Sequence, residues 1–326
     1  MIVGLPADGV SPRDPHSAFT HVHGYPIDGG LVDGPVYTRI FESLKGVRLA
    51  KSDPFTEFQS PLAVYHDDWA DYSSNEPTMD GTASLTYILS AMQNEGALPH
   101  AVRQEGGIIR FDTTKKVIRL VFTGHEYADG GESIRSTLKR HGIRASFFFT
   151  GDFYRTPAFA PLIAGLKADG HYLGPHSDKH LLYAFWDKRD SSIISREVFL
   201  GDLRANYEAM TAFGIKRSDA PYLMPPYEWY NRQIAVWAAG AGVTVVNFTP
   251  GTSSNADYTT PDMGSRYVAS DSIYSRILAY EKRSGLNGFV LLTHIGTDPK
   301  RTDKFYRKLD ALLSELKKRG YRFSRL

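Results

Sequence analysis

The chain has 326 residues, of which 42% are hydrophobic and 23% charged, a composition typical of a globular protein of about two domains. A net charge of +2 gives no electrostatic basis for binding nucleic acid, and the lack of cysteine excludes disulfides, a thiolate nucleophile and cysteine-ligated zinc. No apolar run reaches the ~18 residues of a membrane-spanning helix, so no membrane span is expected.

The N-terminal third is rich in Gly, Pro, Asp and Ser up to about residue 80, which predicts long surface loops. One helix is predicted over 81–93. The first residues contain no basic segment followed by an apolar one, so they are not a signal peptide. Because Gly, Pro and Asp crowd the start, we expect a fragment of a longer polypeptide, the parent protein being secreted or periplasmic.

The pattern becomes regular beyond residue 105, where we place the boundary between a first region, 1–105, and a second, 106–326. Apolar strands alternate there with amphipathic helices, which indicates an α/β fold with a parallel sheet. The length suits a distorted or incomplete (β/α) barrel. The predicted strands are 117–122, 145–149, 243–246 and 288–293, with an apolar stretch at 221–224; the predicted helices are 132–141, 159–169, 195–213, 232–239, 272–283 and 302–319.

Two histidines four residues apart, His176 and His180, are the strongest chemical signal of the second region. On a helical turn or a tight loop both rings fall on one side, within reach of one metal ion at about 2.0–2.1 Å. A Gly-x-x-x-Gly-Pro approach (170–175) indicates a loop. The alternative is that the pair is chance or solvated surface.

Other polar segments follow predicted strands, where a (β/α) barrel carries its functional residues. They are 123–129, 225–231, 247–257 and His294. For His294 the alternative is a buried histidine with a structural role.

Four ordered blocks in 115–326 resemble the NodB-type polysaccharide deacetylases, carbohydrate esterase family 4. They are RHGIRASFFFTGDF (140–153), the H-S-x-x-H pair, MPPYEWYN (224–231) in place of R-x-P-Y, and LLTH (291–294). The resemblance implies a hydrolase that removes acetyl groups from an acetylated polysaccharide or oligosaccharide. It also implies a divalent metal ion, preferably zinc, with His176 and His180 as ligands, the backbone N–H of Tyr227 as oxyanion donor and His294 as general acid.

The first motif departs from the family, whose T-F-D-D-G supplies a base and a metal ligand. Here the strand runs into LVFTGHEYADGG (120–131), which has no Asp pair. We expect Asp129 as the third ligand and Glu126 or His125 as the base, since zinc accepts imidazole and carboxylate alike. Alternatively, Asp129 caps the helix that begins near residue 132. Met224 stands where the family has an Arg that orients the base; an Arg without its carboxylate would be an unpaired buried charge.

The N-terminal region resembles the C-terminal end of family 9 glycoside hydrolases. The matching segments are SPRDPHS (11–17), DGGLVDGP (28–35) and DDWADYSSNEPTMD (67–80). Glu76 would be the general acid, but the opposed carboxylate that such an enzyme needs belongs to a motif absent from the chain. We therefore expect a remnant without glycosidase activity.

Aromatic side chains near the presumed rim are candidates for stacking on sugar rings. We expect Trp229 and Tyr230 to bind substrate, with Trp186 and Tyr258 nearby. Two other functions remain open: a catalytically inactive carbohydrate-binding module on a deacetylase-like barrel, and an esterase acting on non-sugar esters.

Overall fold

The computed structural model describes residues 1–4, 11–95, 98 and 100–326. They form two compact units, Met1–Ala97 and Leu98–Leu326. The boundary predicted after residue 105 instead falls in the turn of an antiparallel hairpin, Val102–Gln104 with Gly107–Arg110. Because backbone pairing holds both strands together, the hairpin belongs wholly to the second unit. No described helix is long and apolar enough to cross a membrane.

The first unit is dominated by loops, as predicted. Its small core contains Val3, Val32 and Tyr65. Buried carboxylates fix the loops: Asp67 accepts the backbone N–H groups of Arg13 and Asp14 at 3.0 and 2.9 Å. The predicted helix over 81–93 is present and slightly longer. The elements of this unit are α1 (Ala18–His21), β1 (Val36–Tyr37), α2 (Thr38–Ser43), β2 (Ala63–Val64) and α3 (Met79–Glu95).

The second unit alternates strands and helices around one large apolar core. Its strands are β3 (Val102–Gln104), β4 (Gly107–Arg110), β5 (Val117–Gly124), β6 (Ser146–Phe149), β7 (Tyr172–Pro175), β8 (Tyr222–Leu223), β9 (Thr244–Val245), β10 (Val290–His294) and β11 (Arg322–Phe323). Its helices are α4 (Gly131–Arg140), α5 (Gly151–Arg155), α6 (Ala160–Ala168), α7 (Arg196–Thr211), α8 (Arg232–Gly240), α9 (Ser270–Ser284) and α10 (Leu309–Lys318).

Local sequence explains where several helices begin. The Ser195 hydroxyl accepts the N–H of Val198 at the start of α7, and the Asn231 side chain accepts the N–H of Ile234 at the start of α8. These side-chain caps satisfy backbone donors that have no partner within the helix. Both helices were predicted within one or two residues of these starts.

The sheet is an incomplete barrel. Parallel strands run in the order β10-β5-β6-β7, with β11 beside the first residues of β5, while β8 and β9 form a separate parallel pair. A few hydrogen bonds span the two gaps, among them Met224 N–H to the Pro175 carbonyl at 3.3 Å and Thr249 N–H to the Val290 carbonyl at 3.0 Å. The α/β, incomplete-barrel prediction is thus confirmed.

Two elements differ from the prediction. Strand β7 lies where Gly and Pro predicted a loop; Gly174 is needed there because a Cβ would come within 2.7 Å of Tyr172 and 2.8 Å of Phe148. The last helix begins at Leu309, not at 302. Arg301 and Lys304 are buried and donate to loop carbonyls, Lys304 to that of Thr297 at 2.8 Å, which holds this segment out of the helix.

Candidate active site

Strand register brings the candidate residues to one edge of the sheet. Thr123 is paired with His294, Gly124 with Phe149, and Phe149 with Pro175. Because these strands are parallel, their carboxyl ends lie side by side, and the loops that follow them meet. A cavity of about 630 Å³ opens there, lined by Thr123, Gly124, His125, Glu126, Tyr127, His176, His180, Trp186, Tyr227, Glu228, Asn255, Tyr258, Met263, Arg266, His294, Gly296, Thr297 and Asp298.

The histidine pair lies in a tight loop directly after β7. Ser177 and His180 have left-handed backbone angles, φ 69° and 56°, which turn the chain so that the two imidazole rings lie 5.2 Å apart. From α7, the Asp202 carboxylate accepts the N–H groups of Asp178 and Lys179 at 3.0 and 3.1 Å. The loop is therefore held by a helix on the far side of the sheet edge.

Both histidines are neutral at neutral pH. Burial lowers the pKa of His176 to about 3 and that of His180 to about 2. The Nδ1 atom of His176 lies 2.8 Å from the Met224 carbonyl, so it carries the proton and leaves the Nε2 lone pair free. Met224 thus contributes its backbone, where the related family has an Arg side chain.

His125 joins this pair from the loop after β5. Its ring lies parallel to that of His180, with 4.6 Å between ring centroids. Its Nδ1 atom is 3.1 Å from the Thr150 hydroxyl, which also accepts the N–H of Phe153 and caps α5. Tyr227 lies on the opposite side, with its ring edge-on to His180 at 4.5 Å and with φ 57°.

His294 is paired with a carboxylate that the sequence analysis did not single out. Asp257 accepts from the His294 backbone N–H at 2.9 Å, and its other oxygen lies 2.6 Å from Nδ1 of the ring. Burial disfavours the charged imidazolium, but the Asp257 carboxylate, with a smaller contribution from Glu228, outweighs burial and raises the pKa of His294. This shift favours the protonated form that a general acid requires. Asp257 lies in a loop after a predicted strand, the only signal that pointed to it.

Asp129 lies outside the cavity, whereas its predicted role as third metal ligand requires it beside His176 and His180. Its carboxylate accepts the Thr297 N–H at 2.8 Å and the Tyr306 hydroxyl at 3.2 Å, and it forms an ion pair with Lys304 at 3.0 Å. It does not line the cavity. The capping alternative also fails, since α4 has Gly130 at its N-cap and no side-chain cap bond. Asp129 instead ties the loop after β5 to the loop after β10.

Gly124, one of the positions where the related family has an Asp, has no room for a carboxylate side chain. A Cβ on this residue would lie 2.8 Å from Ile295, 2.9 Å from Phe149 and 3.0 Å from Phe153, all with buried side chains. Glu126 does line the cavity, but it is exposed to solvent.

The two aromatic residues predicted to bind substrate do not line the cavity. Tyr230 is fully buried and its hydroxyl donates to the Gln104 carbonyl at 2.6 Å. Trp229 packs on Trp186, 5.4 Å between ring centroids, with the Arg189 guanidinium 4.3 Å from its own ring. Trp186 is the member of this group that lines the cavity, with 58% of its surface exposed.

The donor set fits a divalent ion only in part. The Nε2 atom of His176 has a free lone pair, and neutral His180 has one as well, as metal binding requires. In the chain as described, however, no group of three His, Asp or Glu side chains is arranged to hold an ion. The histidine pair is therefore present without the third ligand that the sequence analysis assigned to Asp129.

Comparisons with known proteins agree with this architecture. Residues 111–246 match the polysaccharide deacetylase family model, and residues 1–89 match that of glycosyl hydrolase family 9. A search of curated proteins gave no match.

Several solved structures share the fold. Wild-type BA3943, a CE4 family pseudoenzyme from Bacillus anthracis, has a TM-score of 0.53 and 17% identity over 69% of this chain and 68% of that one. A mutant of BA3943 with restored enzymatic activity has a TM-score of 0.52 and 17% identity over 69% and 71%. PdaA of Bacillus subtilis, a family 4 carbohydrate esterase, has a TM-score of 0.53 and 19% identity over 73% and 86%. The chain thus has the fold of the family 4 carbohydrate esterases, its residues 111–246 match the polysaccharide deacetylase family, and its residues 1–89 match family 9 glycosyl hydrolases.

Proposed function

We propose that the chain is a carbohydrate acetyl hydrolase that removes acetyl groups from an acetylated polysaccharide or oligosaccharide. The observation that carries this proposal is the joint presence, in one cavity, of the neutral pair His176 and His180 and of His294, whose partner is Asp257. A proton donor of raised pKa next to neutral imidazoles is the arrangement that acyl transfer to water needs.

The reaction needs a proton for the departing sugar oxygen or nitrogen and a donor for the oxyanion. His294, whose protonated form is favoured by Asp257, supplies the proton. Tyr227 lines the cavity with its ring beside His180, and its backbone N–H is our candidate for the oxyanion donor. A divalent ion would be held by His176 and His180, and it would polarise the acetyl carbonyl.

Trp186 supports a sugar substrate. Its exposed ring lies at the cavity wall, 5.9 Å from the Tyr227 ring and backed by Trp229. A flat aromatic surface fixed from behind suits the apolar face of a sugar ring. We propose Trp186, in place of Trp229 and Tyr230, as the residue that contacts the glycan.

A direct test is acetate release from acetylated xylan, acetylated glucomannan and chitooligosaccharides, with and without a chelator, combined with the metal content of the purified protein. We expect acetate release that the chelator abolishes. His176→Ala should lose both the bound metal and the activity, because it removes one of the two imidazole donors.

The matched control is His23→Ala, an exposed histidine of the first unit that does not line the cavity. It should retain wild-type metal content and activity. Full activity and unchanged metal content in His176→Ala would contradict the proposed ligand pair.

A second candidate function is a catalytically inactive carbohydrate-binding module. The observation that favours it is the incomplete donor set: no group of three His, Asp or Glu among the described residues is placed to hold an ion, and Gly124 has no room for a carboxylate. Metal-free protein that binds these glycans but releases no acetate would select this function over the first.

We propose that the first unit has no glycosidase activity. Glu76 is exposed and lies with His16 at a separate cavity of about 540 Å³. An inverting glycosidase needs a second carboxylate about 6.5–9.5 Å from its general acid, and the motif that supplies it in the related family is absent from the sequence. Release of reducing sugar from β-glucan by the protein would contradict this proposal.

A further inference from the structure

The cavity needs a group that accepts a proton from the attacking water, and the loop after β5 provides no carboxylate enclosed in the cavity. Gly124 has no space for a longer side chain, and Asp129 is paired with Lys304 outside the cavity. Glu126 is exposed. The other predicted base, His125, has its ring stacked on His180 and its Nδ1 atom 3.1 Å from the Thr150 hydroxyl. A carboxylate base therefore has to come from another strand end.

Three carboxylates belong to described residues that line the cavity: Glu126, Glu228 and Asp298. Asp298 accepts the N–H of Lys300 at 2.8 Å and so closes its own loop. Glu228 differs from both, because it is only partly exposed and its carboxylate interacts with Asn255, His294 and Asp257.

The backbone of Glu228 is held in place. Its N–H donates to the Pro225 carbonyl at 3.1 Å, and its carbonyl accepts from the Asn247 side chain at 2.7 Å. Both Tyr227 and Glu228 have left-handed backbone angles, φ 57° and 53°. Two consecutive non-glycine residues in this conformation cost free energy, and such strain is concentrated at functional sites.

The electrostatic surroundings suit proton uptake. Burial raises the pKa of Glu228, which makes its carboxylate a stronger base, while the nearby His294 opposes the rise and Asp257 adds to it. His294 in turn faces Asp257 and Glu228, which favour its protonated form, and Arg301, which disfavours it. A carboxylate and an imidazolium are thus neighbours in one cavity, as an acid–base pair requires.

We infer that Glu228 is the general base of this site, a role that rests on the proposed acetyl hydrolase function. As the water oxygen bonds to the acetyl carbon, one water proton passes to the Glu228 carboxylate. The bond from the acetyl carbon to the sugar oxygen or nitrogen then breaks, and the leaving atom keeps the electron pair and takes the proton of His294 Nε2. The proton on Glu228 returns through water to His294, and acetic acid leaves and loses its remaining proton to the solvent.

The test is Glu228→Gln in the full chain, with kcat and KM measured from pH 5 to 9 on the acetylated substrate that wild-type protein cleaves. The amide has the same shape but takes up no proton. We expect kcat to fall by about 100-fold or more, KM to change little, and the acidic limb of the pH profile to disappear.

Two further measurements make the result specific. Glu208→Gln, an exposed glutamate of α7 outside the cavity, is the matched control and should behave as wild type. In NMR titrations of Glu228→Gln the His294 ring should titrate at lower pH, because a carboxylate that favours its protonated form is gone.

The outcomes separate the two proposals. Active wild-type protein whose Glu228→Gln variant keeps kcat within about threefold, with the acidic limb intact, overturns the role of Glu228 alone. An unchanged His294 titration in that variant likewise overturns it. Wild-type protein that cleaves none of the acetylated substrates overturns the acetyl hydrolase function and, with it, the base.

Discussion

At the scale of single residues, the site differs from the related family at two positions, and the two differences are consistent with each other. Gly124 stands where the related family has a carboxylate, and the space is filled by Ile295 and two phenylalanines. Met224 stands where that family has an Arg, and it contributes only its carbonyl, to His176. An Arg in this buried position would have no carboxylate to pair with, and an unpaired buried charge is strongly destabilising. The hydrogen-bonded pair of Asp257 and His294, which holds our candidate for the general acid, is present.

Replacing Asp257 with Asn should shift the pH profile of acetate release. The Asp257 carboxylate opposes burial and raises the pKa of His294. Without it burial prevails, the pKa of His294 falls, and the ring loses its proton at lower pH. We expect the alkaline limb of the kcat profile to move to lower pH, with Asp271→Asn, an exposed carboxylate on α9, as the unaffected control. An alkaline limb at the wild-type position would contradict the pairing.

At the scale of elements, helix α7 positions the histidine loop from outside the sheet. Asn206 accepts the His176 N–H at 2.8 Å, and its amide donates to the Phe149 carbonyl at 3.3 Å. Periodicity predicted this helix well, because it is a local signal. Strand β7 was missed because its Gly and Pro are explained only by packing against β6.

Asn206→Ala should destabilise the fold through this connection. The side chain is fully buried, so its loss weakens the hydrogen bonding of two backbone groups that water does not reach. We expect the free energy of unfolding in urea to drop by about 1–3 kcal/mol. Glu208→Ala, on the exposed face of the same helix, should change it little; an equal drop in both variants would point to helix propensity as the cause.

At the scale of the whole molecule, the second unit holds several histidines neutral inside its core. His171, between α6 and β7, is 6% exposed, and its Nδ1 accepts the Ala145 N–H at 3.0 Å. Burial lowers the pKa of His171 from the ordinary 6.5 to about 4. The stability that comes from keeping this ring neutral is complete above pH 6.5. It decreases as the pH falls toward 4, because the unfolded chain binds the proton first.

Comparison of wild type with His171→Gln by urea unfolding at pH 7 and pH 5 measures this effect. Wild-type protein should lose about 2 kcal/mol more than the variant between the two pH values. The buried His176 and His180 are present in both proteins, so their contributions cancel. Equal losses would mean that His171 titrates normally in the folded state.

The sequence by itself determined the α/β class, most helices of the second unit and the identity of His176, His180 and His294, because periodicity, caps and ordered motifs are properties of nearby residues. Tertiary structure decided which polar side chains share the cavity. Glu228 lines it and Asp257 bonds to His294, which lines it, while Asp129, Trp229 and Tyr230 do not line it. The reason is physical: strand register and loop conformation, which depend on contacts between residues far apart in the chain, set where each side chain after a strand points.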